Sequence, residues 1–201
     1  MTRRKLLVIF VLLAGGTFAA PAWAHTGAAL SGGILAGFLH PFSGPDHLLA
    51  MVAVGLWGAF LGRPLIILLP VIFPTVMAFG GALGMVGLRM PPIEIGIALS
   101  MLVLGGAVAG GWRAPVWLAC FMVAVFAIFH GYAHGSELPS MADPVAFSLG
   151  FVLATGMLHV AGIAIGLLTL RPGGAIVVRT LGGAIILAGC YYFLAAVGLR
   201  I

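Results

Sequence analysis

Long apolar runs, separated by short polar punctuation, dominate the chain. Beyond residue 25 the interruptions are GRP (62–64), RMPP (89–92), GWRAP (111–115), GSELPSMADP (135–144) and RPGG (171–174). Between them lie hydrophobic blocks at about 28–61, 65–88, 93–111, 114–134, 144–170 and 175–198. A membrane helix needs roughly 20 apolar residues, and each block supplies about that or more. None alternates with period two, as a strand barrel would, and in lipid such blocks satisfy their backbone only as helices. The pattern predicts an all-α integral membrane protein, a six-transmembrane-helix bundle.

The first block does not fit a straight span. Its stretch of about 34 residues would run about 50 Å as one helix, against a hydrocarbon core of about 30 Å. It contains HPFSGPDH (40–47), where Pro41 and Pro45 each remove a backbone donor and Gly44 loosens the chain. A first helix broken or kinked at His40–His47 is expected, or a short re-entrant segment followed by a span. Pro70 and Pro74 should kink the second span.

Composition narrows the class. The 201 residues are 63% hydrophobic and 6% charged, where a soluble domain carries about 25% charged residues. The solvent of this chain is therefore lipid. Three of the nine basic residues, Arg3, Arg4 and Lys5, begin the chain, so the net charge of +5 leaves no basic surface for nucleic acid. They precede an apolar run that ends in Ala22-Trp23-Ala24, the pattern of a signal peptide over 1–24 cleaved before His25. That leaves 25–201 as one transmembrane domain in a bacterial cytoplasmic membrane, with its mature N-terminus periplasmic. Six spans then put Arg63, Arg113, Arg171 and Arg179 on the cytoplasmic side, and Arg89, Arg200, Glu94, Glu137 and Asp143 outside, as the positive-inside rule asks. Cys120 and Cys190 are isolated in apolar segments and read as filler. Small-xxx-small pairs at Gly33/Gly37, Gly80/Gly84, Gly106/Gly110 and Gly162/Gly166 read as close helix contacts.

Ionisable groups inside a membrane cost at least about 2.5–3.5 kcal/mol each, so they are kept with partners. His40, Asp46 and His47 form one cluster at the expected helix break. Imidazole with carboxylate suits borderline divalent metals such as Ni, Co, Zn or Cu, and freed carbonyls at broken helices form cation sites in transporters. Asp46 could instead cap the second half-helix. In FHGYAHGSE (129–137), His130, His134 and Glu137 fall at i, i+4 and i+7 on one helix face, and a histidine pair at i, i+4 can hold one metal. The plainer alternative is an interfacial helix end with Glu137 in solvent. His159, in the middle of the fifth block, is either a packing residue or a ligand or relay. His25, once its amine is freed, could chelate a metal. Glu94 and Asp143 look like helix N-terminal residues favoured by the dipole.

At these two clusters the sequence resembles the HupE/UreJ family of nickel and cobalt permeases. HPFSGPDH fits that family's HPxxGxDH pattern, and FHGYAHGSE its FHGxAHGxE pattern, without a departure. The resemblance covers essentially the whole mature chain. It implies transport of Ni²⁺ or Co²⁺ from periplasm to cytoplasm, serving hydrogenase or urease, with the metal as substrate and no prosthetic group. It also strengthens the case for His25, because members commonly begin their mature chain with histidine. The expected chemistry is transport rather than catalysis. His25, His130, His134 and Glu137 would capture the ion, and His40, Asp46 and His47 would form a central site, with His159 a next ligand or support. No GxxxxGK[ST] occurs, so the chain does not itself use ATP. The rivals are an intramembrane metal-dependent hydrolase, a haem-binding electron-transfer bundle, and a metal sensor that binds without transporting. Against the hydrolase, HExxH and GxSxG are both missing from the sequence.

Overall fold

The computed structural model describes residues 33–90, 92–138 and 143–199. The expected signal peptide, 1–24, and His25 lie outside the described residues. Within them the chain is helical: α1 Ile34–Ser43, α2 Pro45–Leu61, α3 Leu65–Met85, α4 Ile93–Gly110, α5 Val116–Ser136, α6 Pro144–Gly166 and α7 Gly174–Ala196, with a 3₁₀ turn Leu167–Leu170 after α6. Helices α3 to α7 are each long and apolar enough to cross a membrane. The first hydrophobic block becomes two helices, α1 and α2, bent by 88° at Gly44 and together making up a sixth candidate span. The break expected around residues 40–47 is therefore present, and it is sharper than a kink. Pro45 opens α2 at a position where a missing N–H costs nothing. The Ser43 hydroxyl donates to the His40 carbonyl at 2.6 Å and closes the end of α1. By contrast, α3 continues as one helix through Pro70 and Pro74.

Asp143 caps α6 as its place before Pro144 suggested: its Oδ1 accepts from the backbone N–H groups of Val145 at 2.9 Å and Ala146 at 3.2 Å.

Lipid cannot drive helices together as water does, so close packing of small residues has to. The pairs α3–α5, α4–α7, α2–α6 and α1–α6 make the most extensive contacts. At α3–α5 a side chain on Gly131 would strike the Met77 carbonyl, and one on Gly135 the Gly81 carbonyl, while Gly80 and Gly84 press equally on the backbone at Ile128 and Tyr132. The glycines of FHGYAHGSE thus let α5 touch the backbone of α3. Gly162 and Gly166 do the same for α6 against α2. The pair Gly106/Gly110 does not: open space surrounds both. The buried centre contains Met51, Leu56, Trp57, Leu69, Phe73, Met101 and Leu104, whereas Trp117, Phe121, Leu153, Ile176 and Leu187 face outward, as lipid-facing residues should.

The two ends of the bundle differ in charge. At one, Arg113 lies over the Phe60 ring at 5.4 Å, and Arg179 donates to the Ala109 and Gly110 carbonyls at 2.7 and 3.3 Å. Trp57 donates to the Trp112 carbonyl at the same end. The other end carries the start of α4 with Glu94, the end of α5 with Glu137, and the Asp143 cap of α6.

Candidate metal centre

The bend at Gly44 is what builds the site. It swings α1 across the bundle, so His40 approaches α5, while Asp46 and His47 stay in the first turn of α2. His40 Nε2 and His134 Nδ1 are 2.9 Å apart in a hydrogen bond, with the rings edge to face. His40, His134 and Glu137 each offer a ligand atom, and these atoms lie within 4.8 Å of one another. Phe147 and Phe151 wall this group, and a cleft of about 90 Å³ between α3, α5 and α6 opens onto His134 past Met77, Gly81 and Met85.

Next to it, Asp46 Oδ1 accepts two hydrogen bonds from one residue, the His47 backbone N–H at 2.9 Å and His47 Nδ1 at 3.0 Å. A carboxylate can only accept, so Nδ1 carries the proton and Nε2 presents its lone pair. That Nε2 is buried and has no hydrogen-bond partner among the described residues. His130 repeats the arrangement: Nδ1 donates to the Phe126 carbonyl at 2.9 Å, and Nε2 is buried without a partner among the described residues. Metal-binding histidines are held in this way, one ring nitrogen donating to a carboxylate or carbonyl and the other facing the ion. The His47 ring lies 4.5 Å from that of His134 and 5.1 Å from that of His130, centre to centre. Four histidine rings from three helices therefore form one contiguous group. Gly44 lies close beside it: a Cβ there would sit 3.1 Å from both Asp46 Oδ1 and His47 Nδ1, a tight contact that the pair would have to relieve.

The sequence motifs divide these residues differently from the fold. HPFSGPDH suggested His40, Asp46 and His47 as one set, and FHGYAHGSE suggested His130, His134 and Glu137 as another. In space His40 stands with His134 and Glu137, and His47 lies against both histidines of α5, its ring 4.5 Å from that of His134 and 5.1 Å from that of His130. The reason is the bend: residues two turns apart stack on one face of a straight helix, but here they belong to two helices at 88°. His159 is reached only through Phe73 in the ring contacts among the described residues: the Phe73 ring is 5.4 Å from that of His130 and 5.3 Å from that of His159. Glu94 is a group that helix-end reasoning undervalued. It occupies the first turn of α4, yet both it and Glu137 lie within electrostatic reach of His47. Its position at the acidic end of the bundle was the available signal.

A family model described as HupE / UreJ protein matches residues 12–192. Protein HupE of Rhizobium leguminosarum bv. viciae is 45% identical over 172 residues, which cover 85% of this chain and 90% of that protein. No solved structure matches the chain.

Proposed function

The chain belongs to the HupE/UreJ family, and from that premise we propose that it is a permease carrying Ni²⁺ or Co²⁺ from periplasm to cytoplasm, for nickel enzymes such as hydrogenase or urease. The observation that carries this reading is the pair of oriented, buried imidazole nitrogens, His47 Nε2 and His130 Nε2, each with its ring held through Nδ1. A buried acceptor left unpaired costs about 1–3 kcal/mol, and two on neighbouring rings make sense as ligands for a cation. The outer group has suitable spacing as well. Two imidazole nitrogens bound cis to one metal at about 2.05 Å stand about 2.9 Å apart, the separation of His40 Nε2 and His134 Nδ1.

In this reading Glu137 and His25 capture the ion at the acidic end, His40 and His134 take it next, and His47 and His130 hold it deeper, with Asp46 orienting His47. The arginine-rich end is cytoplasmic, in line with the positive-inside rule. Two positive charges moving inward across about 100 mV gain about 4.6 kcal/mol, enough to concentrate the metal. The histidines pack edge to face against one another rather than opposing each other across an apolar gap, which disfavours the haem alternative.

Uptake of radiolabelled nickel by cells expressing the chain tests the proposal, with Co²⁺, Zn²⁺ and Cu²⁺ as competitors. His40→Ala and His47→Ala should each abolish uptake; native rates in both would rule the site out.

A further inference from the structure

Beyond the outer histidine group, the bundle contains a second set of polar atoms deep in the apolar core. His159 and Thr155 are separated by one turn on α6, share a face, and are both fully buried. Thr155 Oγ1 and both ring nitrogens of His159 have no well-formed hydrogen bond among the described residues. Threonine in a helix commonly bonds its hydroxyl to the carbonyl a turn earlier; Thr155 does not. Opposite them runs α3, where Pro74 has no N–H to give to the Pro70 carbonyl four residues before it. The carbonyl thus released is the one that approaches the His159 ring. With one His159 N–H donating to it, the other nitrogen's lone pair would be left for a metal, the same outer support that the Phe126 carbonyl gives His130.

The position is deep. Phe151 packs against His134 of the outer group, and His159 lies two turns further along α6, about 12 Å inward. The fully buried Phe73 touches both levels, its ring 5.4 Å from that of His130 and 5.3 Å from that of His159. Gly55 of α2 lets the helix backbones touch at the His159 carbonyl, so the level is closed on that side.

We propose that His159, supported by the Pro70 carbonyl and assisted by the Thr155 hydroxyl, is a second, inward binding site for the divalent cation, next to the outer histidine group across their shared neighbour Phe73. The site is weak by construction: one imidazole and one hydroxyl, against the several imidazoles and carboxylates outside. Conduction needs such a gradient, because each site must bind well enough to be entered and loosely enough to be left. The ion steps from His47 and His130, past a displaced Phe73, onto His159, and from there toward the arginine-rich end. This inference rests on the permease reading.

The test separates ligand from packing roles through uptake kinetics, with Ni²⁺ as the probe, and calorimetric Ni²⁺ titration of the purified full chain in nanodiscs. His159→Ala should lower the maximal uptake rate about tenfold or more while leaving the half-saturating concentration within about threefold, since the outer group sets capture. His159→Gln keeps a donor for the Pro70 carbonyl and most of the volume but is a poor ligand, so it should be as slow as His159→Ala. Thr155→Val, nearly isosteric, should lower the rate by a smaller factor. Both His159 variants should still bind Ni²⁺ at the outer group. Uptake within twofold of native in His159→Ala, recovery of the rate in His159→Gln, or loss of outer Ni²⁺ binding in both variants would each overturn the inward site and assign His159 to packing. Failure of the permease reading shows separately, as a native chain that binds Ni²⁺ but carries neither Ni²⁺ nor Co²⁺.

Discussion

Replacing Asp46 with asparagine tests the part of the site that the structure defines best. The exchange keeps volume and shape but turns a group that can only accept into one that both accepts and donates. In the native chain one carboxylate oxygen holds the His47 backbone N–H at 2.9 Å and His47 Nδ1 at 3.0 Å. An amide can satisfy the backbone donor with its oxygen, so α2 should still start at Pro45. It no longer dictates the ring, however. If the NH₂ turns toward Nδ1, the proton moves to Nε2 and the buried Nε2 lone pair is lost. Even with the tautomer kept, the negative charge that makes His47 a stronger donor to a metal is gone. The side chains of His47 and Asp46 are 12% and 14% exposed, so water screens the pair little. Loss of such an outer partner costs about tenfold to hundredfold in metal affinity, or about 1.4–2.7 kcal/mol. Initial rates of nickel uptake against concentration should therefore show a half-saturating concentration raised by about one to two orders of magnitude, and calorimetric titration of the purified chain a matching loss. The melting temperature should be close to native. A half-saturating concentration within about threefold of native, with uptake intact, would refute the orienting role of Asp46.

Acidification should inhibit. Protons and the metal compete for the same imidazole lone pairs, whose ordinary pKa is about 6.5, so initial uptake at fixed nickel and fixed membrane potential should fall as pH drops below about 6; a rate flat across that range would count against histidine ligands. Gly131→Ala should destabilise the bundle by about 1–3 kcal/mol in thermal unfolding, because its Cβ collides with the Met77 carbonyl, whereas Gly106→Ala, in open space, should stay within about 0.5 kcal/mol. Equal effects of the two would contradict the α3–α5 contact. Gly44→Ala should leave the helices folded but push against Asp46 Oδ1 and His47 Nδ1, weakening Ni²⁺ binding by up to about tenfold; unchanged affinity would show that the pair adjusts freely.

The spans were readable from the sequence because a lipid solvent leaves a chain of this hydropathy few choices: helices of about 20 residues, ended by proline, glycine and arginine. The break in the first block was readable too, from a block too long for one straight crossing and two prolines beside a glycine. The clusters of ionisable residues were equally plain, since histidines and acids at membrane depth require a reason. What the sequence did not contain was the angle at Gly44. An 88° turn and a mild kink look alike as letters, yet the angle decides which side chains His40 meets, and here it brings His40 within 4.8 Å of ligand atoms on His134 and Glu137. Tertiary packing also decided which glycines matter: Gly131 and Gly135 meet the backbone of α3, while Gly106 and Gly110, with identical spacing, meet open space. Spacing places residues on one helix and cannot say which neighbour that face will meet. The same limit hid the link between Pro74 and His159, 85 positions apart in the chain. A proline that frees a carbonyl is visible in a sequence; the imidazole that comes to face that carbonyl is chosen by the packing of α6 against α3.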